Sequence, residues 1–243
     1  MRLKPLSALR KYDATFIVLH EGNPGHHFQS VFGKRQRNVP QFIRFSNPLA
    51  YSEGWGLYSE YLGFELGVYE DPYAKFGYYS ANLLRASRLV VDTGIHALGW
   101  SRSQAVEYML NNTAFSREFI EAEVDRYITL PGQACTYKIG EQRIKSLRKI
   151  AAEKLGTKFN VKEFHRVVLS CAGPLSVLDT CVERFIEKEK KKDGKEPKDV
   201  NSNGPTSTFW SHFPFISTIW NFGNINFYVP QPPPNTEANL SQK

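Results

Sequence analysis

The chain reads as a mainly α-helical domain followed by an irregular C-terminal tail. Three observations carry this. Apolar residues recur at helical spacing from Tyr12 to Lys192, period-2 runs bounded by hairpin turns are missing, and the composition changes abruptly after Lys192. The boundary divides a helical domain over residues 1–192 from a polar linker and an aromatic, Pro-rich tail over 193–243.

Each helix has its own start or stop signal. Tyr12 to Phe32 is apolar and helical but is interrupted at Pro24-Gly25, since proline lacks an amide and clashes with the preceding turn. Asn47-Pro48 opens a second helix with Pro48 at its first position, and Asp71-Pro72 opens a long third one through Leu98. Ser101 with Gln104 makes a capping box for a helix to Leu110, and Ser116 starts another to Tyr127. Pro131-Gly132 breaks the chain before Gln133–Leu155, with Gly156 as the C-terminal cap. Helices over Asn160–Leu169 and Pro174–Lys192 complete the set. Residues 209–228 are aromatic-rich, and Pro230 to Pro234 reads as extended.

The 243 residues, 41% hydrophobic and 23% charged, suffice for one sizeable core. The net charge of +7 does not point to nucleic acid. Lys188, Lys190, Lys191, Lys192, Lys195 and Lys198 fall in a polar, Gly- and Pro-containing stretch, which reads as solvated linker. Cys135, Cys171 and Cys181 form no CxxC pair, so buried thiols are expected, with one bridge permitted. No apolar run reaches 18 residues and Met1 to Arg10 lacks a signal-peptide core, so a cytoplasmic chain with no membrane partner is expected.

Chemistry concentrates in His20-Glu21-Gly22-Asn23-Pro24-Gly25-His26-His27 and in Glu53 of Ser52-Glu53-Gly54-Trp55. Two imidazoles, a third-ligand carboxylate and a general base are what a hydrolytic zinc site needs. On a regular helix, ligands four residues apart are separated by about 6 Å of rise, whereas the seven-residue step from His20 to His27 rises roughly 10.5 Å. His26 is closer along the chain but points elsewhere on a continuous helix. The Pro24-Gly25 irregularity is therefore required to bring either one to the ion. Glu53 approaches from the second helix as third ligand, and Glu21 stays off the metal as base.

His20-Glu21-x-x-Pro24-Gly25-His26-His27-x-Gln29 and Glu53-Gly54-Trp55-Gly56-Leu57-Tyr58 closely resemble the helical zincin-like peptidase family known as domain of unknown function 885. The segments Arg88-Leu89-Val90-Val91-Asp92-Thr93-Gly94-Ile95-His96 and Arg126-Tyr127-Ile128 through Pro131-Gly132-Gln133-Ala134 to Tyr137-Lys138-Ile139-Gly140 extend the resemblance. It covers about Lys11 to Ile186. The resemblance implies a gluzincin-like fold, akin to helical carboxypeptidases, oligopeptidases and angiotensin-converting enzyme. It also implies one Zn(2+) per chain on His20, Glu53 and one of His26 or His27, with Glu21 as base. A Gly-His pair in the related peptidases points to His26; same-face placement points to His27, which is the preferred reading here. Family members generally carry a long helical region before the HE motif, whereas 19 residues precede His20 in this sequence.

Candidate donors to a tetrahedral intermediate are Tyr137, Tyr127 and His96. Arg85, Arg88, Arg126 and Lys138 are candidate clamps for a substrate carboxylate. Asp92 either orients a ligand histidine or pairs with Arg88. His165 and His212 read as structural or exposed. The expected function is zinc-dependent peptide hydrolysis. The alternatives are a catalytically inactive metal-binding relative and a hydrolase of a non-peptide amide, and an oligomer or partner that completes the cleft is a further expectation.

Overall fold

A short 3-10 turn at Lys11–Asp13 leads into α1 (Ala14–Glu21), and the chain breaks for four residues before α2 (His26–Lys34). A short α3 (Gln41–Arg44) precedes α4 (Leu49–Glu65) and the long α5 (Pro72–Leu98). Then follow α6 (Arg102–Asn112), α7 (Arg117–Thr129), α8 (Gln133–Leu155), α9 (Val161–Ser170) and α10 (Leu175–Lys191). This computed structural model describes residues 10–192 apart from Asn38 and Asn47. No strand occurs among the described residues, so the fold is mainly α. The tail 193–243, including His212, Lys195 and Lys198, lies outside them.

The caps follow the sequence signals closely. Asp71 Oδ1 accepts from the Tyr73 amide at 3.0 Å, with Pro72 at the first helical position. Ser101 and Gln104 form the reciprocal box: the Gln104 amide donates to Ser101 Oγ, and the Ser101 amide donates to Gln104 Oε1 at 2.8 Å. Pro48 departs by one residue, standing as the N-cap with Leu49 first in the helix. The short α3 carries no sequence signal of its own. Four residues are too few for a periodicity to register.

α4 and α8 make a close crossing at Gly54 and Gly140. A Cβ on Gly54 would sit 2.5 Å from Gly140 Cα, and one on Gly140 would collide with the Ala50 carbonyl. One core joins this crossing to α9 and α10 through Trp55, Tyr58, Ile144, Phe164, Val168 and Leu178. A second packs Leu84 and Val91 of α5 against Val106, Met109, Ile120 and Tyr127. A third seats Phe16 and Leu19 of α1 against Tyr69 and Tyr78. Each fully buried large side chain of this kind contributes about 1.5–3 kcal/mol. Together they fix α1, α4, α5 and α8 around one another, which sets the site.

One sequence expectation changes here, and another is narrowed. Cys171 and Cys181 are joined as a disulfide linking the end of α9 to α10, and only Cys135 remains a buried free thiol. The ten-residue separation across a tight helical turn brings the two sulfurs together, which the count of three cysteines left open. His165 is structural: the Tyr58 hydroxyl lies 2.8 Å from its Nε2 and accepts from Arg148, whose guanidinium pairs with Glu65.

Candidate metal centre

His20 closes the last turn of α1 and is 5% exposed. Its Nδ1 lies 2.7 Å from Glu60 Oε1, and its Nε2 lies 3.5 Å from Glu53 Oε2. His26 is the first residue of α2; its Nε2 is 3.2 Å from the same Glu53 oxygen and its Nδ1 is 3.1 Å from Gln29 Oε1. One donor atom from each of His20, His26 and Glu53 lies within 4.8 Å of the others.

The local folding follows from the break. Helix α1 ends at Glu21 and a new helix starts at His26, so the second imidazole does not inherit the phase of the first. The indole N–H of Trp55 donates to the Pro24 carbonyl at 2.8 Å, tying the break to α4. Gly56 leaves the space for the His20 ring, since a Cβ there would lie 2.7 Å from His20 Cε1. Glu53 and Glu60 stand two turns apart on α4 and so share a face toward His20.

The electrostatics favour positive charge at this point. Burial opposes protonation of His20, but the hydrogen bonds to Glu53 and Glu60 outweigh it and raise the imidazole to about 9. The bond to Glu53 likewise raises His26. Burial alone would raise Glu53, yet the two imidazoles hold it down at about 2. With protons on both Nδ1 atoms, donated to Glu60 and Gln29, the two Nε2 lone pairs face a carboxylate oxygen. Such a triangle requires a cation, either protons or a metal ion. The donor types, two nitrogens and one oxygen with outer hydrogen bonds on both rings, fit zinc.

The other sequence-selected residues are placed as follows. His27 is exposed and outside the cluster, so His26 takes the position that same-face placement assigned to His27. That placement assumed one continuous helical phase, and the restart at His26 removes it. Tyr137 adjoins the cluster, its ring stacked on His20 with centroids 6.3 Å apart and planes 24° apart. Glu21 is exposed at the end of α1, next to His20 in the chain. Tyr127 is buried, its hydroxyl accepting from Arg88 at 2.8 Å and donating to Glu123 at 2.9 Å. His96 is exposed, with Nε2 2.9 Å from the Tyr127 carbonyl oxygen. Lys138 donates to Glu141 and Asn82, while Arg126 donates to Gln133 and Glu123. Arg88 also donates to Glu123.

Asp92 neither orients a ligand nor pairs with Arg88. Both of its oxygens accept from the Gly132 amide, at 3.0 and 3.1 Å, ahead of α8. The orienting carboxylate is Glu60, which sequence reasoning passed over. Its signal was the seven-residue spacing from Glu53. Gln29, part of the first motif but given no role, orients His26.

A cleft of about 440 Å³ opens onto this centre. His26, Gln29, Ser52 and Glu53 line it on one side, Arg44 and Phe45 on another. The centre therefore has a buried face at Glu60 and an open face toward the cleft.

These features define a mainly helical protein whose described residues bring together two histidines and a carboxylate, with His20 buried and His26 and Glu53 part-buried. The chain belongs to the family described as "Bacterial protein of unknown function (DUF885)", whose profile matches residues 1–182. It is similar to the crystal structure of a "putative lipoprotein" from Colwellia psychrerythraea, with 42% identity and a TM-score of 0.75 over 77% of this chain. It is also similar to a "putative lipoprotein of unknown function" from Shewanella oneidensis, at 25% identity and a TM-score of 0.64 over 74% of this chain. The match spans 32% of the first of those chains and 35% of the second. No curated protein matches the chain.

Proposed function

We propose that the chain carries the centre of a zinc-dependent, zincin-like peptidase, with His20, His26 and Glu53 as ligands for one zinc ion. The convergence of their three donor atoms within 4.8 Å supports this most strongly. Bound zinc would supply Lewis-acid polarisation of the scissile carbonyl and acidify the attacking water. The chain's own groups do the rest. Glu21 accepts the proton from that water and passes it to the leaving amine as the C–N bond breaks. Tyr137, whose ring stacks on His20, donates its hydroxyl hydrogen to the oxygen on which negative charge develops. Glu60 and Gln29 hold the imidazoles in the tautomer that leaves Nε2 free.

The substrate on this reading is a peptide, or a small amide of the same chemistry, entering through the cleft beside His26 and Glu53. The match covers 32% and 35% of the two related chains, so most of each lies beyond the matched region. For localisation, both solved relatives are described as lipoproteins, and a Cys171–Cys181 disulfide suits an oxidising compartment. Both favour a location outside the cytoplasm, against the expectation from the sequence. Among the described residues no helix is long and apolar enough to cross a membrane.

The test is Glu21→Gln, assayed on a mixed peptide library with zinc content measured in parallel. Loss of hydrolysis with zinc retained is the expected result. Undiminished hydrolysis would remove Glu21 as the base. Zinc binding without hydrolysis by the unaltered chain would favour the inactive-relative reading.

A further inference from the structure

Arg85, on α5, has a buried Nε with no hydrogen-bond partner, and Arg88, 5% exposed, has an unpartnered Nη1. Buried guanidinium N–H groups left unpaired cost free energy, so these donors suit an anionic ligand. The local charge points the same way. Arg88 and Arg126 share one carboxylate, Glu123, and Arg85 adds a third positive charge with no ion pair of its own among the described residues. Glu60, whose charge also acts on Arg85, commits its Oε1 to His20. Lys138 on α8 is paired with Glu141, a carboxylate it shares with Lys145.

Position makes this excess informative. The guanidinium carbons of Arg88 and Arg85 lie 4.9 and 5.9 Å from the Tyr137 ring centroid, and that ring stacks on His20. Tyr137 thus contacts both the ligand histidine and the arginines. An extended peptide advances about 3.5 Å per residue, so a carboxylate one or two residues from the scissile carbonyl lies within roughly 7 Å of it. Residues that share the Tyr137 ring with His20 stand within reach of such a carboxylate.

We infer that Arg85, aided by Nη1 of Arg88, is a receptor for a substrate carboxylate, and that the preferred substrates are peptides whose free C-terminal carboxylate lies next to the scissile bond. The inference rests on the proposed hydrolytic function of the same site and names its substrate class. An aspartate or glutamate side chain beyond the scissile bond offers the same chemistry, and the test separates the two. Arginine suits this role because its planar fork meets a carboxylate through two parallel N–H···O bonds. Arg88, Arg126 and Glu123 brace one another and Tyr127, so Arg88 also positions the subsite, whereas Arg85 is free to meet the ligand.

The experiment compares zinc-loaded full chain and Arg85→Ala on three matched peptides: a free acid, its C-terminal amide, and the amide carrying a terminal glutamate. Binding of N-acetylphenylalanine and of its amide is followed calorimetrically in parallel. The expected result is at least a tenfold preference of kcat/KM for the free acid, collapsing to near parity in Arg85→Ala, with the acid alone binding the unaltered chain. Rescue of part of that preference by Arg85→Lys would separate charge recognition from packing. Preference for the glutamyl amide over the free acid would overturn the C-terminal assignment. Equal cleavage of acid and amide by the unaltered chain would overturn the receptor while leaving peptide hydrolysis standing. If no peptide is cleaved, selective binding of the acid that Arg85→Ala abolishes sustains the receptor alone, and equal binding of acid and amide ends it.

Discussion

Glu60 Oε1 lies 2.7 Å from His20 Nδ1, and Glu60 is fully buried on α4. A carboxylate enclosed in this way has one evident use here: fixing the proton on Nδ1 and aiming Nε2 at Glu53. Oriented ligands bind metal more tightly because less freedom is lost on coordination.

Glu60→Gln should therefore weaken zinc binding by about 10- to 100-fold while far-ultraviolet circular dichroism stays helical. Competition against a chromogenic chelator reads this directly. Unchanged affinity would mean that His20 is oriented by its packing alone.

His26→Ala should abolish stoichiometric zinc, and His27→Ala should leave it intact. Elemental analysis of the two dialysed variants decides between them. The reverse pattern would restore the same-face choice of His27 and imply that α1 and α2 join differently when metal is bound.

Gly140→Ala should destabilise the fold by about 1–3 kcal/mol, since the new methyl meets the backbone of Ala50 and Gly54 rather than a yielding side chain. For a chain of this size that corresponds to a fall in Tm of about 2–4 °C per kcal/mol. A neutral outcome would show that the α4–α8 crossing can open without loss.

Burial depresses His165 from its ordinary 6.5 to about 4, and the Arg148 charge adds to the effect. Between those values the unfolded chain binds more protons than the folded one, so stability rises with pH there. The contribution is present above about 6.5 and is lost as pH falls toward 4. Urea midpoints across that range should decline more steeply for the unaltered chain than for His165→Phe. Parallel declines would remove His165 as a source of acid sensitivity.

Much of the fold was legible in the residues. Asp71-Pro72, the Ser101–Gln104 box, Ser116 and Gly156 are local signals, because caps satisfy backbone groups within a few residues of themselves. The grouping of His20, His26 and Glu53, with a break at Pro24-Gly25, was equally readable as the makings of a candidate metal centre.

Sequence by itself determined the helices other than α3, most of their caps and the residues from which the candidate centre is drawn, because propensity and capping act over one or two turns. Tertiary structure decided which imidazole faces Glu53, that Glu60 rather than Asp92 stands behind His20, and that Arg85 is left without a partner. Those choices depend on how α1, α4, α5 and α8 cross, and on the helical phase after the break. Neither is encoded within the span of a single helix.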